Sequence, residues 1–441
     1  RKTQEILQQD VETWLRFFQP APFAKAAGNA PSPRAAFFYP AWESLPHEGK
    51  LPHIDVISDR LNTLDALLAL PPSPGQSGAS MPVVVTTVSA LMQRTFAPAS
   101  LRERIRLIAR GDHIEPATLA AWLEEQGYEP EAKVTQPGEL SLRGGILDIY
   151  PLTAAQPVRL EFFGDDLDSL RWFDPSTQIS TGPLEKILLP PGGELGVLRQ
   201  IELQAREQGR PIEGLGAFTD YLPAQSLVLL FEPDLLEEQA ALYEAQIPAK
   251  DPFFIPWNQC RERFATSGWT VLELSELAVE NEDMAMTGLD AYRPMETHAP
   301  DSHVAEAQRL EFFAQLHRWI RQGYAVRVFC NNTGELQRFK ELWAEYGLDT
   351  SPEPPGPDTI ETFVGTLSRG FLLNRSRLVV VTDAEVFGRY RVPTARRLKS
   401  PQARVTRSAL EIDFTELEEG DYVVHLQHGI GRYLGLQVMP F

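Results

Sequence analysis

Gly49-Lys50 is the only glycine–lysine pair in this sequence, and hence the only candidate for a phosphate-binding loop. Such a loop needs a matching glycine upstream and a serine or threonine after the lysine, so that backbone amides surround a phosphate. Both are missing here. The acidic segment 382–385 (TDAE) follows an apolar strand, as magnesium-binding carboxylates do, but has no loop to accompany it, and we interpret it as a solvated strand end. We therefore predict no catalytic residue and no cofactor site in this chain.

Histidines and cysteines are too few and too poorly spaced to predict a metal site. His425 and His428 are three residues apart, but no further ligand lies at suitable spacing, and zinc needs four. We interpret them as turn histidines. Cys260 and Cys330 are the only two cysteines, so neither a disulfide framework nor a four-thiolate zinc site can form. This cysteine usage favours a reducing, cytoplasmic compartment.

Carboxylates are frequent between residues 148 and 168, which leaves a hydrolase with an acid–base pair conceivable. The acidic residues concerned are Asp148, Glu161, Asp165, Asp166 and Asp168. Most of them fall in predicted turns or on the polar face of predicted strands, where acidic residues are ordinary.

A sharper pattern lies in the predicted strand 157–163. Side chains alternate between the two faces of a strand, so the apolar set beginning with Val158 faces the core and Arg159, Glu161 and Phe163 face outward. An exposed Arg–Phe pair is typical of binding hot spots, and Arg143 reaches the same patch if the sheet closes as expected. The alternative is that Phe163 packs beneath a loop and Arg159 merely pairs with Glu161. Composition alone leaves both open.

The length and charge of the chain bound its architecture and its partners. A chain of 441 residues corresponds to about three domains of ~150 residues, and 43% hydrophobic with 23% charged residues favours folded domains. The net charge of −19 disfavours tight non-specific binding to duplex DNA. No apolar stretch approaches the ~20 residues of a membrane span, and the N-terminus lacks a signal peptide, so no membrane partner is expected.

Periodicity predicts two α/β units and an antiparallel meander. The first unit is predicted from a helix at 5–18, a strand at 37–40, a helix capped by Ser58, a strand at 83–85 and a short helix capped by Ser89. The meander is predicted from a helix at 116–127 and strands at 139–143, 146–150, 157–163 and 167–173. A core strand is predicted at 227–231. The second unit is predicted from a helix at 304–324 whose apolar face includes Leu310 and Phe313, strands at 325–330 and 378–381, and a helix at 334–346.

Several motifs resemble known protein families. Residues 142–151 (LRGGILDIYP), 157–165 (PVRLEFFGD) and 171–175 (RWFDP) resemble the UvrA-binding domain shared by UvrB, the damage-verifying helicase of bacterial nucleotide excision repair, and by transcription-repair coupling factors. Residues 39–46 (YPAWESLP), 52–61 (PHIDVISDRL) and 85–94 (VTTVSALMQR) resemble the coupling factors. Residues 420–433 (GDYVVHLQHGIGRY) are similar to the start of their CarD-like polymerase-interaction domain, which UvrB lacks. The sequence is thus identified as a member of the bacterial transcription-repair coupling factors, the Mfd family.

The resemblance implies a multidomain α/β protein. A UvrB-like α/β domain is interrupted by a small inserted α+β UvrA-binding domain, and a second α/β domain and the first strands of a β-barrel domain follow. The implied division is 1–96 and 191–300 for the two parts of the UvrB-like domain, 97–190 for the UvrA-binding domain, 301–395 for a family-specific α/β domain, 396–419 for a linker and 420–441 for the start of the polymerase-interaction domain.

The resemblance also implies a recruitment module that is not itself an enzyme. UvrA is the implied partner and Arg143, Arg159 and Phe163 are the implied contacts, so alanine at Arg159 or Phe163 is expected to weaken binding by ~2 kcal/mol with little effect on folding. In the full-length family the partners also include the RNA polymerase β subunit, through residues unknown here, and DNA, ATP and magnesium through motor domains expected beyond Phe441. Arg1 and Phe441 both suggest a fragment of a longer protein. The alternatives are a UvrB-like ATP-dependent DNA repair helicase subunit and a CarD-like polymerase-binding regulator.

Overall fold

The computed structural model describes residues 2–17, 36–70, 82–276, 284–292, 302–345, 360–387, 422–425 and 429–432. Helices and strands alternate through most of these ranges, and the sheets are separate from one another. The predicted multidomain α/β fold class is confirmed. The predicted linker 396–419 lies outside the described residues.

The first unit is built around a parallel pair of short strands. Its elements are α1 (Lys2–Phe17), β1 (Ala36–Tyr39), α2 (Ile54–Leu68), β2 (Val83–Thr86), α3 (Val88–Leu91), β3 (Arg94–Phe96) and α4 (Pro98–Arg104). Strands β1 and β2 pair in parallel from Ala36 opposite Val83 to Tyr39 opposite Thr86. Parallel pairing of strands connected through a helix agrees with the α/β prediction.

Two predicted helix caps in this unit are wrong. Helix α2 begins four residues before Ser58, because the His53 side chain accepts the hydrogen bond from the Asp55 amide that a cap must accept. Ser58 lies inside the helix, buried, and its hydroxyl donates to the Leu152 carbonyl at 2.6 Å. Likewise Thr87, not Ser89, caps α3, accepting from the Ala90 amide at 2.9 Å. In both cases a side chain earlier in the chain accepts a hydrogen bond from a backbone amide of the first turn, so the helix begins there.

The second unit contains the predicted meander. Its elements are β4 (Arg106–Ala109), α5 (Pro116–Glu125), β5 (Glu129–Pro130), β6 (Glu139–Arg143), β7 (Ile146–Ile149), β8 (Val158–Phe163), β9 (Asp166–Phe173), β10 (Ser180–Leu184) and β11 (Lys186–Leu189). Strands β5 to β10 form one six-stranded sheet in chain order, and every neighbouring pair from β6 to β10 is antiparallel. Helix α5 packs Leu119 and Leu123 onto one face of this sheet, while β4 and β11 form a separate pair.

The chain then returns to the core of the first unit. The elements are α6 (Leu195–Glu207), β12 (Leu215–Ala217), a 3₁₀ turn (Phe218–Tyr221), β13 (Leu227–Phe231), α7 (Pro233–Glu244), α8 (Trp257–Thr266) and β14 (Thr270–Leu274). Strand β12 pairs with β3, and one hydrophobic cluster combines side chains such as Leu64, Leu198 and Phe264. The prediction of a core strand at 227–231 is wrong in its burial: β13 pairs with β14 in the described chain, and alternate residues, Leu227 among them, are exposed.

A fully buried ion pair lies where the chain returns from the meander. Arg60 on α2 donates to both carboxylate oxygens of Glu194, at 2.6 and 3.0 Å. Thr95 and the Trp42 indole donate to the same carboxylate at 2.7 and 2.9 Å. Glu194 is therefore held by residues that precede the meander in the chain.

The third unit is a five-stranded sheet with helices. Its elements are β15 (Met286–Gly288), a 3₁₀ turn (Asp290–Tyr292), α9 (Ser302–Arg321), β16 (Ala325–Cys330), α10 (Thr333–Glu345), β17 (Ile360–Val364), β18 (Phe371–Leu373), β19 (Leu378–Thr382) and α11 (Asp383–Phe387). The strand order is β15-β18-β19-β16-β17, with β16 parallel to both neighbours. On α9, Phe313 is buried as predicted, but Leu310 is exposed.

The segment after β19 is not the solvated strand end predicted from the sequence. Asp383 and Glu385 are both buried. The Glu385 carboxylate accepts hydrogen bonds from the Thr382 amide at 2.9 Å and the Thr382 hydroxyl at 2.7 Å. The amides at the start of a helix lack partners within that helix, and a nearby carboxylate can satisfy them in a buried position.

Helix α1 belongs to the first unit and also packs against the third. Its Gln8 side chain donates to the carbonyl of Ala36, the first residue of β1, at 2.9 Å. On the other side, Trp14 lies 5.4 Å from the ring of Phe329 on β16, and Asp10 accepts from the Ser368 amide at 2.8 Å.

The last described elements are β20 (Tyr422–His425) and β21 (Gly429–Arg432), an antiparallel pair in the range predicted to begin a β-barrel. Across the part of the chain that the structure describes, no helix is both long enough and apolar enough to cross a membrane.

Candidate protein-interaction surface

Two tight turns lie at the same end of the six-stranded sheet, one directly after Arg143 on β6 and the other directly after Phe163 on β8. Gly144, between β6 and β7, has φ of 61°, and Gly164, between β8 and β9, has φ of 64°. Glycine adopts these positive values at little steric cost. The Phe162 amide donates to the Gly145 carbonyl at 2.7 Å, which holds the two turns together.

Gly145 allows this close approach. A Cβ atom at that position would lie 2.8 Å from the Phe162 carbonyl oxygen, closer than side chains tolerate. The LRGG motif is therefore explained by backbone packing, and the packing determines where the residues on either side are presented.

Phe163 is the most exposed aromatic side chain among the described large hydrophobic residues, with 84% of its surface accessible. The hairpin register pairs it with Asp166, beyond a bulge at which Glu161 faces Ser169 and Phe162 faces Leu167. The alternative that Phe163 packs beneath a loop is therefore wrong for the described chain. An apolar ring of this size in water is a characteristic of binding surfaces.

Arg159 is mostly buried, in contrast to the exposure expected from strand alternation. Its guanidinium donates to both carboxylate oxygens of Asp148, at 2.7 and 2.9 Å, and lies 4.8 Å from the centre of the Phe173 ring. Only 16% of its side chain is accessible. The suggested pairing with Glu161 is also wrong, because the Glu161 carboxylate accepts from the Ser169 hydroxyl instead.

Arg143 shares the same carboxylate but remains open to solvent. One of its terminal nitrogens donates to Asp148 Oδ2 at 2.8 Å, and 52% of its side chain is accessible. A guanidinium has five N–H donors, so Arg143 keeps donors for a partner while Asp148 fixes its orientation.

Asp148 is the residue whose importance the sequence did not reveal. Its side chain is fully buried, yet it binds two guanidinium groups. The hydrogen bonds that Arg159 donates to Asp148 raise the pKa of Arg159, whereas burial of the guanidinium opposes the rise. Register could have identified the contact, since Asp148 on β7 lies directly opposite Arg159 on β8.

Three of the five carboxylates that left a hydrolase conceivable have separate partners. Asp148 is bound by arginines, Glu161 by Ser169, and Asp166 by His113 at 2.8 Å. Its hydrogen bond to Asp166 raises the pKa of His113. No two of these three carboxylates therefore share a partner.

The remaining candidates for chemistry are buried or lie outside the described residues. Cys260 and Cys330 are free and buried, and burial raises the pKa of each thiol to about 12. The His425 side chain and all of His428 lie outside the described residues. Where side chains are described, no group of three or more histidine, cysteine or acidic residues is placed to hold a metal ion.

The sheet that carries these residues matches a defined domain class. A family model described as the UvrB interaction domain matches residues 107–194, which overlap the predicted domain 97–190. A second, the CarD-like/TRCF RID domain, matches residues 417–440. The predicted domain boundaries themselves stay predictions, as does the assignment of Arg143, Arg159 and Phe163 to UvrA binding.

Whole-chain comparison gives the more particular result. The chain is 25% identical to the transcription-repair-coupling factor of Bacillus subtilis (strain 168), over 92% of this chain and 38% of that protein. It is 27% identical to that of Mycobacterium tuberculosis, over 91% and 36%, and 26% identical to that of Escherichia coli (strain K12), over 90% and 37%. The chain thus spans somewhat more than a third of these curated relatives. The predicted resemblance to the transcription-repair coupling factors is confirmed.

Proposed function

We propose that this chain binds UvrA through the surface at Arg143, Arg159 and Phe163 and thereby brings nucleotide excision repair to stalled RNA polymerase. The observation that supports this most strongly is the exposed ring of Phe163 on a domain that matches the UvrB interaction domain. UvrA is the partner implied for that domain by the resemblance to coupling factors and UvrB.

The three residues have different roles in this proposal. Phe163 enters an apolar pocket of the partner, because burial of an exposed ring is the largest gain available on this surface. Arg143 donates to carboxylate or carbonyl acceptors through the donors that Asp148 leaves free. Arg159 is a positioning residue, since its contacts with Asp148 and Phe173 stabilise the strands that carry the other two.

The test is calorimetric titration of purified UvrA into the 441-residue chain and its variants. Phe163→Ala is expected to weaken binding by about 2 kcal/mol or more, roughly thirtyfold, as truncated hot spots do. Leu203→Ala on α6 is the matched control, because Leu203 is also an exposed apolar side chain but lies outside the UvrB interaction domain match. Unchanged affinity for Phe163→Ala would overturn the assigned surface.

A second proposal is that residues 417–440 contribute to binding RNA polymerase through its β subunit. The match to the CarD-like/TRCF RID domain supports it. Deleting residues 417–441 is expected to remove capture of purified polymerase while leaving UvrA affinity unchanged. Equal capture by both chains would contradict the proposal.

We further propose that the chain acts in the cytoplasm, and that UvrA binding by it requires neither ATP nor a metal ion. DNA, ATP and magnesium would then serve other parts of a full-length coupling factor. Affinity for UvrA is accordingly expected to be the same with EDTA and with magnesium ATP. ATP turnover by this chain above buffer background would instead favour the UvrB-like helicase alternative.

A further inference from the structure

A concave site lies next to Phe163, on the β9 side of the hairpin. Its volume is about 760 Å³. Phe163 provides exposed apolar surface, and the charged residues that line it are Arg110, Asp166, Asp168 and Glu185. The turn after Arg143 accepts a backbone hydrogen bond from β8, through Gly145 and Phe162. The segment after β4 forms backbone hydrogen bonds with β9 instead. In the order of the strands, Phe163 on β8 therefore lies between Arg143 and this cavity.

Backbone hydrogen bonds hold the walls of the cavity in place. The Gly111 amide donates to the Leu167 carbonyl at 2.9 Å, and the Leu167 amide donates to the Asp112 carbonyl at 2.9 Å. The Arg110 amide donates to the Glu185 carbonyl at 2.9 Å, which joins the segment after β4 to the residue before β11. The cavity is therefore formed before any partner binds, which lowers the entropic cost of binding.

The charge of the cavity is negative. Three carboxylates line it against one guanidinium, and Arg110 Nε donates to the Asp168 main-chain carbonyl at 2.8 Å rather than to a carboxylate. Asp166 is bonded to His113 at 2.8 Å. Within the described residues, the Asp168 and Glu185 side chains take part in no ion pair. Two carboxylates thus remain available to a cationic group.

We propose that this cavity receives an arginine or lysine side chain of the partner that binds Phe163, which is UvrA if the proposed function holds. A long cationic side chain fits both kinds of surface, because its stem packs on Phe163 while its charge reaches Asp168 and Glu185. Stacking of the cation on the accessible Phe163 ring adds to the attraction. An acidic side chain or a phosphate group would be repelled.

The two sides of Phe163 require opposite charges on the partner. Arg143 on one side of Phe163 selects an acidic or neutral acceptor, and the cavity on the other side selects a basic side chain. Opposite charges on the two sides of an apolar anchor fix the orientation of docking and exclude the reversed one. This surface would therefore specify orientation as well as affinity.

The test compares charge variants of the full 441-residue chain by titration with purified UvrA. Asp168→Lys with Glu185→Lys is expected to weaken binding at least tenfold, and the neutral pair Asp168→Asn with Glu185→Gln at least threefold. The control is Glu124→Lys with Glu125→Lys, two exposed positions on α5 that make the same change in net charge. Circular dichroism of each variant checks folding.

Each outcome has a distinct meaning. Unchanged affinity in both cavity variants, with binding lost in Phe163→Ala, overturns the cavity proposal and leaves the proposed function intact. Equal weakening by the cavity reversal and the α5 control also overturns it, because the effect is then one of overall charge. No binding by the unaltered chain overturns the proposed function, and with it the assignment of UvrA as the source of the cation.

Discussion

Replacing Arg159 by alanine removes the main partner of a fully buried carboxylate. Two hydrogen bonds to Asp148, at 2.7 and 2.9 Å, are lost together with the contact to the Phe173 ring. Removing one member of a buried ion pair costs about 3–5 kcal/mol, because the remaining charge stays away from water. Arg143 keeps its hydrogen bond to Asp148, so we expect the lower end, about 3 kcal/mol, for the sheet around β7 and β8.

Hydrogen exchange measures this loss in the intact chain. The amides of β7 (Ile146–Ile149) and β8 (Val158–Phe163) are expected to exchange about a hundredfold faster in Arg159→Ala, which corresponds to roughly 3 kcal/mol of opening free energy. Phe163→Ala is expected to leave these rates unchanged, because the Phe163 ring is largely exposed.

Two arginine variants serve as controls. Arg171 lies opposite Arg159 in the β8–β9 register but is exposed, so Arg171→Ala is expected to have little effect on exchange. Arg143→Ala removes a half-exposed ion pair and is expected to cost less than about 1 kcal/mol. If Arg159→Ala exchanges as slowly as Arg171→Ala, the positioning role of Arg159 is refuted. If Arg159→Ala instead exchanges faster, weaker UvrA binding by this variant reflects a destabilised β7–β8 region in addition to any lost contact with UvrA.

Three further predictions concern the rest of the chain. Burial raises the pKa of Asp383 to about 7, above its ordinary value, so the contribution of this carboxyl group to native stability falls as the pH rises from about 4 to about 7. Calorimetry is therefore expected to show the melting temperature of Asp383→Asn rising relative to that of the unaltered chain across this window. Cys260 and Cys330 are expected not to react with Ellman's reagent at about pH 8 until denaturant is added, since at a thiol pKa of about 12 only about one in ten thousand is ionised. Asp10→Ala removes the bonds to Ser368 and is expected to speed exchange in α1 but not in β8.

Regular elements with strong periodicity were predictable from the sequence. The strands around Arg143 and Phe163 begin and end within about a residue of their predicted limits, because glycine turns and alternating apolar residues specify them locally. Alternation also assigns Phe163 to the outer face of the sheet. The sequence thus predicted the strands of the candidate surface, whereas it left open the choice between an exposed and a covered Phe163.

Properties that depend on non-local partners were not predictable in the same way. Alternation assigns Arg159 to the outer face, but its burial depends on Asp148 from the neighbouring strand and on Phe173. Ser58 looks like a helix cap until the structure shows that its hydroxyl is used by Leu152, 94 residues later. A local pattern determines the direction of a side chain, whereas its partner is determined by how the segments pack together.

The Arg60–Glu194 pair shows how packing of this kind can fix the position of an inserted domain. Glu194 is the last residue of the UvrB interaction domain match, and its carboxylate is bound by Arg60, Thr95 and Trp42 from the chain before that domain. A buried ion pair of this kind contributes little net stability, because desolvation offsets the attraction between the charges. Any other course of the chain after β11 that left Arg60 or Glu194 buried without its partner would nevertheless cost several kcal/mol of folding free energy. The pair therefore acts mainly by excluding other paths, and so places the end of the domain that carries Phe163 beside its beginning.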